Sequence, residues 1–435
     1  MKHIPQFLIA APTSGSGKTT ISRALMALFS SKGYCVQPFK CGPDYIDTKY
    51  HEVVCGRPSV NLDTYMATPS HVKEVYSYYT QDAEISVIEG MMGLFDGYSR
   101  DKGSSAEISQ LLGLPVILVV DAKAAAYSIA PLLWGFTRYR KNVRIRGVIF
   151  NRVGSESHFR ILQDLCDEIK LECFGYIPND KALDQPSRYL GLDFSHQESL
   201  QEQAHLVSLL EQHVDWKRLL KVTKRPRPTG SNLFDKIKWQ DKKILVAEND
   251  ESFSFLYTEH LDILRRMGHV EFFNPEEDQL IPQDIDLLYL PGGYPEKHLK
   301  ALYAAKNTRS SIKKYAEAGG CILAECGGMM YLSEAIIPER GDSVEMVGIF
   351  DHTVSCRKKD RKLSLGYRNF SYMGQRLKGH EFHYSQFVEQ PKSIASVYNA
   401  KEIKVSTPVL RYKNTIAGYT HLYWGDADIW KLFEE

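Results

Sequence analysis

Cys326 lies between an apolar run and two glycines in the stretch CILAECGGMM, residues 321–330. This order predicts a buried strand, a sharp turn and a helix, the geometry of a nucleophile elbow with cysteine in place of serine. Glycines beside the turn leave room where a Cβ would clash, and the helix dipole is expected to favour the thiolate. We therefore predict that Cys326 is a catalytic nucleophile.

A catalytic thiol needs a general base and hydrogen-bond donors for the oxyanion. Three histidines could serve as the base: His380 and His383 in GHEFHYS, and His421 in GYTHLYW. We predict His421, because it follows the strand-like segment TIAGYT near the end of the chain, and we interpret GHEFHYS as a supporting or substrate-binding loop. His380 and His383 alone are a weak zinc signal, since no second Cys/His pair accompanies them. The predicted oxyanion donors are the backbone N–H groups of Gly293, in YLPGGYPE, and Gly327.

The stretch APTSGSGKTT, residues 11–20, has the composition of a Walker A phosphate loop. Glycines let backbone N–H groups turn toward phosphate, Lys18 can reach the β and γ oxygens, and the Thr19 hydroxyl can bind Mg²⁺. Pro12 occupies the position of the usual first glycine, so the loop departs from the common pattern there. The amide of Asn151, in GVIFNRV, either pairs with an adenine edge or simply ends a strand. The predicted ATP-binding residues are Thr13, Gly15, Ser16, Gly17, Lys18, Thr19, Thr20 and Asn151.

Acidic residues accompany this loop in two other segments. FKCGPDYIDTKYH is predicted to be a loop, and its Lys40, Asp44 and Asp47 are candidates for binding phosphate or metal, although Asp47 could equally be a solvated charge. ISVIEGMMGLFDGY places Glu89 at a strand end, before a Gly-rich loop that carries Asp96. Carboxylates at the C-terminal ends of parallel strands face the ligand crevice. Mg²⁺ takes one or two carboxylates besides phosphate oxygens.

The totals restrict the class of protein. The chain has 435 residues, enough for two or three domains, and a net charge of +1, which predicts neither nucleic acid nor membrane as a partner. Its longest apolar runs are far shorter than a membrane span. MKHIPQFLIAAP leads directly into the Gly-rich loop, so we interpret it as a first strand and not as a signal peptide. Eight scattered cysteines without a CxxC pair favour a reducing cytoplasm over a disulfide framework.

The elements that must position these residues alternate between strands and helices. Strands are predicted for QFLIAA, ISVIEG, LPVILVVDA, IRGVIFN and CFGYIP, and helices for residues 17–32, 104–112, 125–139 and 155–170. The pattern predicts an α/β fold with a parallel sheet covered by helices on both faces. The segment KVTKRPRPTGSN is basic and Pro-rich, which is typical of a linker. After it the α/β pattern restarts, and residues 344–424 are richer in predicted strands. We predict a P-loop domain at 1–222, a linker at 223–240 and a second α/β domain at 241–435.

Several motifs together resemble one enzyme family. PGGYPE, ECGGMMYL and GYTHLYW resemble the class I glutamine amidotransferase domain of the cobyrinic/cobyric amidotransferases. APTSGSGKTT, FKCGPDYID, GRPSVNLDTYM and EGMMGLFDG resemble the dethiobiotin-synthetase-like ATPase domain of the same enzymes, in the same order. The resemblance implies ATP- and Mg²⁺-dependent amidation of the a and c acetate carboxylates of cobyrinate, through acyl phosphates, with L-glutamine as nitrogen source in cobalamin biosynthesis. It leaves the oligomeric state open, a homodimer included.

The resemblance also implies roles for particular residues. The nucleophile and base of the family fall on Cys326 and His421. Many class I amidotransferases have a Glu two residues after this histidine, where this chain has Tyr423, so the site resembles a Cys–His pair more than a triad. The implied metal ligands are Thr19, Asp44 and Glu89, and the implied macrocycle-binding residues are Tyr45, Ile46 and Asp96.

Other functions fit the motifs less well. The same reaction on hydrogenobyrinate or nickel sirohydrochlorin would use almost the same motifs. A partitioning-type ATPase that binds partner proteins would carry a signature lysine early in the P-loop, where this chain has Thr13, and would lack the elbow cysteine. A glutaminase regulator without synthetase activity disagrees with the intact GSGKTT.

Overall fold

A computed structural model describes residues 2–180, 200–249 and 251–434. The chain divides into two compact units: the first comprises Met1–Thr64 and Thr68–Leu233, and the second comprises Tyr65–Ala67 and Phe234–Glu435. Among the helices in the described ranges, none combines the length and the apolar character needed to cross a bilayer.

The first unit alternates strands and helices, as its apolar runs predict. Its strands are β1 (His3–Ala10), β2 (Val36–Cys41), β3 (Val60–Leu62), β4 (Ile85–Glu89), β5 (Pro115–Asp121), β6 (Arg144–Val153), β7 (Glu172–Pro178) and β8 (Lys224–Pro226). Its helices are α1 (Lys18–Ser31), α2 (Ile46–Cys55), α3 (Pro69–Thr80), α4 (Ser105–Leu112), α5 (Ile129–Tyr139), α6 (Glu156–Ile169), α7 (Leu200–His213) and α8 (Trp216–Val222).

The sheet of the first unit places the P-loop beside the predicted acids. The strand order within the described residues is β3-β2-β4-β1-β5-β6-β7, and the strands along this path pair in parallel. Ile9 of β1 is in register with Glu89 of β4. Because parallel strands end at one edge of the sheet, the loop after β1 and the carboxylate that ends β4 meet there.

Two segments of the first unit differ from their predictions. Residues 39–51, predicted to be a loop, contain the end of β2 and the start of α2. The prediction was wrong because Asp44 stabilises a helix start: its Oδ1 accepts the N–H groups of Ile46 (2.9 Å) and Asp47 (2.8 Å). Within the predicted linker, 223–240, β8 pairs antiparallel with β1.

The second unit contains fewer helices and more strands. Its strands are β9 (Lys242–Ala247), β10 (Gly268–Phe273), β11 (Leu287–Leu290), β12 (Ile322–Glu325), β13 (Ser333–Ile337), β14 (Val344–Glu345), β15 (Phe350–Ser355), β16 (Ser364–Tyr372), β17 (Gln375–His383), β18 (Gln386–Phe387), β19 (Val397–Asn399), β20 (Lys404–Val405), β21 (Val409–Tyr412), β22 (Thr415–Gly418) and β23 (His421–Tyr423). Its α-helices are α9 (Thr258–Met267), α10 (Leu299–Ala304), α11 (Lys306–Glu317) and α12 (Gly327–Leu332), and short 3₁₀ turns span Pro295–Lys297 and Ile429–Phe433.

These strands form three sheets in the described part of the second unit. The central sheet has the order β10-β9-β11-β12-β22-β21, with β21 antiparallel and the other strands parallel. A smaller sheet has the order β14-β13-β15-β18, and an antiparallel sheet has the order β20-β19-β16-β17-β23. The chain passes from β22 of the central sheet to β23 of the antiparallel sheet, and this crossing carries the predicted base toward the predicted nucleophile.

Candidate active site

Cys326 lies on a strained turn between β12 and α12. Its backbone has φ +47° and ψ −104°, a left-handed conformation that is costly for a residue with a Cβ and that occurs mostly at functional sites. Neighbouring backbone hydrogen bonds hold it there: the Cys326 N–H donates to Gly418 O (2.7 Å), and the Cys326 carbonyl accepts from Met330 N (2.9 Å). The predicted elbow geometry is confirmed.

The two glycines after the cysteine allow the elbow to pack against the loop that follows β11. A Cβ on Gly328 would lie 2.1 Å from Leu290 O, and a Cβ on Gly327 would lie 2.8 Å from Gly293 O and 2.9 Å from Gly293 N. Both approaches are closer than a real Cβ tolerates, so only glycine fits. The close packing brings together the backbones of Gly293 and Gly327, the two predicted oxyanion donors.

His421 is the first residue of β23 and lies beside the same loop. It is in register with His380 of β17, and its side chain is buried. A Cβ on Gly292 would lie 2.1 Å from His421 Cε1, so the imidazole contacts the residue that precedes Gly293. The fold therefore gathers the predicted base and the predicted oxyanion loop around the elbow.

Burial keeps both reacting groups neutral. It raises the pKa of the Cys326 thiol well above its usual value, and the nearby Glu296 carboxylate adds to this effect. Burial also lowers the pKa of His421 to about 3. The Gly327 N–H at the start of α12 lowers the pKa of the thiol, in the direction expected of a helix terminus, but desolvation outweighs this effect. A neutral imidazole can still accept the thiol proton when the substrate binds.

The GHEFHYS segment is a strand and not the predicted loop. It belongs largely to β17, which pairs with β16 over nine residues. His383 stacks on Tyr419 with ring centroids 3.6 Å apart, and its Nδ1 lies 3.0 Å from Ser385 O. Burial lowers the pKa of His380 to about 4. Within the described ranges, no three His, Cys, Asp or Glu side chains gather as metal ligands.

The P-loop connects β1 to α1 in the first unit. Gly15 and Gly17 have φ of +79° and +91°, values that favour glycine, and Ser16 Oγ donates to Thr13 O (2.9 Å). Lys18 and Thr20 belong to the first turn of α1, which begins at Lys18. Burial and the neighbouring Lys40 ammonium lower the pKa of Lys18.

Glu89 is the centre of a buried polar cluster next to this loop. Its Oε1 accepts from Thr19 Oγ1 (2.6 Å) and from Lys40 Nζ (2.8 Å), and its Oε2 lies 2.8 Å from His51 Nε2. Lys40 Nζ also contacts Asp47 Oδ2 at 2.5 Å. Burial alone would raise the pKa of Glu89, but Lys40 and His51 outweigh it and hold this pKa well below its usual value.

Sequence reasoning missed His51 in this cluster and left the role of Asp47 open. The signal was present: the two residues are four apart, which places them on one face of α2 once that segment is helical. Burial, followed by the charge of Asp47, raises the pKa of Asp44, so Asp44 also lies near the cluster. Its Oδ1, however, caps α2.

The other predicted ligand contacts have clear positions. Tyr45 and Ile46 are both buried at the start of α2. Asp96 is exposed, and its Oδ2 accepts from Gly93 N at 3.0 Å. Asn151 Nδ2 donates to Ser16 O at 3.0 Å, so this amide braces the P-loop. Its pairing with adenine stays a prediction.

Two domain families match the chain. Residues 7–192 match the CobQ/CobB/MinD/ParA nucleotide binding domain, and residues 243–429 match the CobB/CobQ-like glutamine amidotransferase domain. Together with the P-loop and the thiol elbow, these matches define a nucleotide-binding glutamine amidotransferase of two α/β domains, which confirms the predicted fold class.

Whole-chain relatives narrow this class. Cobyrinate a,c-diamide synthase of Caldanaerobacter subterraneus subsp. tengcongensis is 38% identical over 430 residues, covering 96% of this chain and 94% of the relative. Hydrogenobyrinate a,c-diamide synthase of Brucella anthropi is 40% identical over 399 residues, covering 89% and 90%. Cobyrinate a,c-diamide synthase of Priestia megaterium is 36% identical over 438 residues, covering 97% and 94%. The chain belongs to the cobyrinate/hydrogenobyrinate a,c-diamide synthase family, as its motifs predicted.

Proposed function

We propose that this protein transfers the amide nitrogen of glutamine to the a and c acetate carboxylates of cobyrinate, using ATP, in cobalamin biosynthesis. The observation that carries the proposal is the continuous similarity to named a,c-diamide synthases, at 36–38% identity over 96–97% of the chain for two cobyrinate enzymes. It covers both the P-loop unit and the thiol unit. The geometry of each unit supports one half of this reaction.

The second unit supports glutamine hydrolysis. The thiol of Cys326 attacks the side-chain amide carbon of glutamine while His421 accepts the thiol proton. The N–H groups of Gly293 and Gly327 stabilise the oxyanion that forms. The imidazolium returns its proton to the departing ammonia, which leaves a thioester on Cys326. Water then hydrolyses the thioester and releases glutamate.

The first unit supports activation of the carboxylate. A carboxylate is a poor acyl donor because oxide is a very poor leaving group, whereas an acyl phosphate loses phosphate readily. Lys18 and the P-loop N–H groups would hold the ATP phosphates and stabilise charge during γ-phosphoryl transfer. Ammonia would then attack the acyl phosphate to form the amide and release phosphate. Tyr45, Ile46 and Asp96 are proposed to contact the macrocycle.

The polar cluster around Glu89 fits Mg²⁺. The 2.6 Å contact between Thr19 Oγ1 and Glu89 Oε1 places a hydroxyl and a carboxylate at one point, and hard oxygen donors of this kind suit Mg²⁺. We propose Thr19, Glu89 and Asp44 as the residues that hold the ion, and oxygens of the ATP phosphates would supply further ligands. Bound with ATP, the ion would neutralise charge on the phosphates.

Hydrogenobyrinate is the second candidate substrate. The Brucella anthropi hydrogenobyrinate enzyme is 40% identical to this chain, an identity similar to that of the cobyrinate enzymes. Amidation of nickel sirohydrochlorin stays a prediction of the sequence motifs alone.

A direct assay tests the proposal. The purified protein is incubated with ATP, Mg²⁺, glutamine labelled with heavy nitrogen in its amide, and either cobyrinate or hydrogenobyrinate. We expect mass spectrometry to find two labelled amides in the product, only when ATP is present. If the protein hydrolysed glutamine but labelled neither cobyrinate nor hydrogenobyrinate, the proposed amidation of these macrocycles would be wrong.

The cellular location and the assembly state are further expectations. All eight cysteines are free, which supports a reducing compartment, and we propose the cytoplasm. Fractionation of the producing cell tests the location. Light scattering of the purified protein distinguishes a monomer from the homodimer that the family resemblance left open.

A further inference from the structure

His421 is held by buried carboxylates through both of its chain neighbours. On one side, the hydroxyl of Thr420 donates to Glu381 Oε1 (2.8 Å). On the other side, the backbone N–H of Leu422 donates to Glu325 Oε1 (3.1 Å). Glu381 is 0% exposed and Glu325 is 2% exposed. We call Glu325 and Glu381 the carboxylate clamp.

Each carboxylate of the clamp is itself fixed by further donors. Glu381 Oε2 accepts from Arg368 Nε (2.9 Å) and from Thr407 Oγ1 (3.1 Å). Glu325 Oε2 accepts from the hydroxyl of Tyr289 (2.9 Å). A buried carboxyl group, whether ionised or protonated, is costly unless it is hydrogen-bonded, and satisfied buried networks of this kind rigidify the groups that they contact. The clamp is therefore a rigid anchor for β23.

Tyr423, on the same strand as His421, is held by a different acid. The hydroxyl of Tyr423, two residues after His421, donates to the buried Glu259. That contact directs the side chain of residue 423 to α9. Glu325 ends β12 and directly precedes Cys326 in the sequence. Its side chain therefore connects the strand before the nucleophile to β23, the strand that begins with the base.

We propose that Glu325 and Glu381 are positioning residues for His421: by holding the residues on each side of it, they fix the imidazole where it can accept the thiol proton of Cys326. This inference rests on the proposed role of His421 as the base. Neither carboxylate needs to touch the substrate. Misplacement by about 1 Å costs up to roughly a hundredfold in rate, so loosening the clamp should lower kcat for glutamine hydrolysis while KM for glutamine changes little.

A matched pair of threonine variants tests the Glu381 half. Thr420→Val and Thr407→Val each remove one hydroxyl donor to the same carboxylate, but only Thr420 adjoins His421. We expect Thr420→Val to lower glutaminase kcat roughly tenfold. Thr407→Val should stay within about twofold, because Arg368 Nε still donates to the same oxygen of Glu381. Ammonia-dependent amidation should persist in both variants, as a check on folding. Equal effects of the two substitutions would overturn the proposed positioning role of Glu381.

Conservative rescue tests the Glu325 half. Glu325→Gln keeps an oxygen that accepts from Leu422 N–H, whereas Glu325→Leu keeps none. We expect the Gln variant to retain glutaminase kcat within about threefold and the Leu variant to lose roughly tenfold or more; equal loss in both would overturn this half. His421→Ala tests the role of the base separately from the role of the clamp. If this variant kept normal glutaminase activity, His421 would not be the base, whatever the results for the clamp variants.

Discussion

The backbone N–H of Leu422 donates to Glu325 Oε1 at 3.1 Å, which joins the residue after the proposed base to the residue before the proposed nucleophile. This single hydrogen bond connects β12 of the central sheet with β23 of the antiparallel sheet. The relative positions of Cys326 and His421 thus depend on contacts between β12 and β23, whose bonded residues are 97 positions apart in the chain.

Replacing Cys326 with Ala should separate the two nitrogen sources. Without the thiol no thioester forms, so we expect glutamine hydrolysis to fall by on the order of a thousandfold or more. Amidation with high concentrations of ammonium salt should stay within about twofold, because the first unit is unchanged. Cys321→Ala, at a half-buried cysteine just before β12, is the control and should keep both activities. Normal glutamine hydrolysis by Cys326→Ala would mean that another group is the nucleophile.

Replacing Lys18 with Ala should stop amidation from either nitrogen source. The lysine supplies positive charge to the phosphates during transfer, so we expect a loss of at least roughly a hundredfold in the rate of ATP-dependent amidation. Lys32→Ala changes an exposed lysine at the other end of α1, paired with Glu211, and should have little effect. Steady-state assays with glutamine and with ammonia measure both variants, and an unchanged rate for Lys18→Ala would place the nucleotide elsewhere.

Asp96→Asn should affect the macrocycle more than ATP. The amide oxygen of Asn can still accept the hydrogen bond from Gly93 N, so the loop should keep its shape while the exposed negative charge is lost. We expect KM for the macrocycle to rise several-fold, a change of about 1 kcal/mol in binding, with a smaller change for ATP. Asp101→Asn, at an acid bound to Arg140, is the control. Equal increases in both KM values for Asp96→Asn would assign this residue to the nucleotide site.

Glu325→Gln should make the protein more stable at high pH. Burial raises the pKa of Glu325 to about 8, whereas an unfolded chain titrates near the ordinary value of about 4.3. Between these values the folded state keeps a proton that the unfolded state has lost, so stability falls as pH rises through this window. Glutamine does not ionise, so the Gln variant lacks this pH-dependent loss of stability.

Denaturant unfolding from pH 5 to pH 8 measures the effect. We expect the wild-type protein to lose up to about 1.4 kcal/mol per pH unit relative to Glu325→Gln. Glu334→Gln, at an exposed position of β13, should follow the wild-type curve. Parallel curves for wild type and Glu325→Gln would show that Glu325 is already ionised in the folded protein at pH 5.

Local patterns were sufficient for much of the fold. The helices predicted at 17–32 and 155–170 are observed at Lys18–Ser31 and Glu156–Ile169. These predictions succeeded because apolar periodicity and terminal residues are signals contained within one helix. The elbow at Cys326 was predictable for the same reason, since the apolar run, the turn and the glycines are adjacent in the sequence.

Predictions failed where the composition concealed a local contact or where distant residues decided the outcome. Residues 39–51 were predicted to be a loop because their polar composition hides the cap that Asp44 gives to α2. The sequence indicated that the helix terminus favours the Cys326 thiolate, but it did not show that the surrounding core desolvates the thiol and raises its pKa. Burial of this kind is contributed by many strands and has no local signature.

The sequence by itself determined which groups this protein has for its chemistry: a Gly-rich loop with Lys18 and Thr19, a thiol on a glycine turn, and a histidine near the end of the chain. Only the tertiary structure decided which acids serve them. Glu89 meets Thr19 because β4 pairs with β1. Glu325 and Glu381 reach the neighbours of His421 because β12 pairs with β22 and β17 pairs with β23. Hydrogen bonds between residues far apart in sequence depend on strand pairing, which forms only when the whole unit folds.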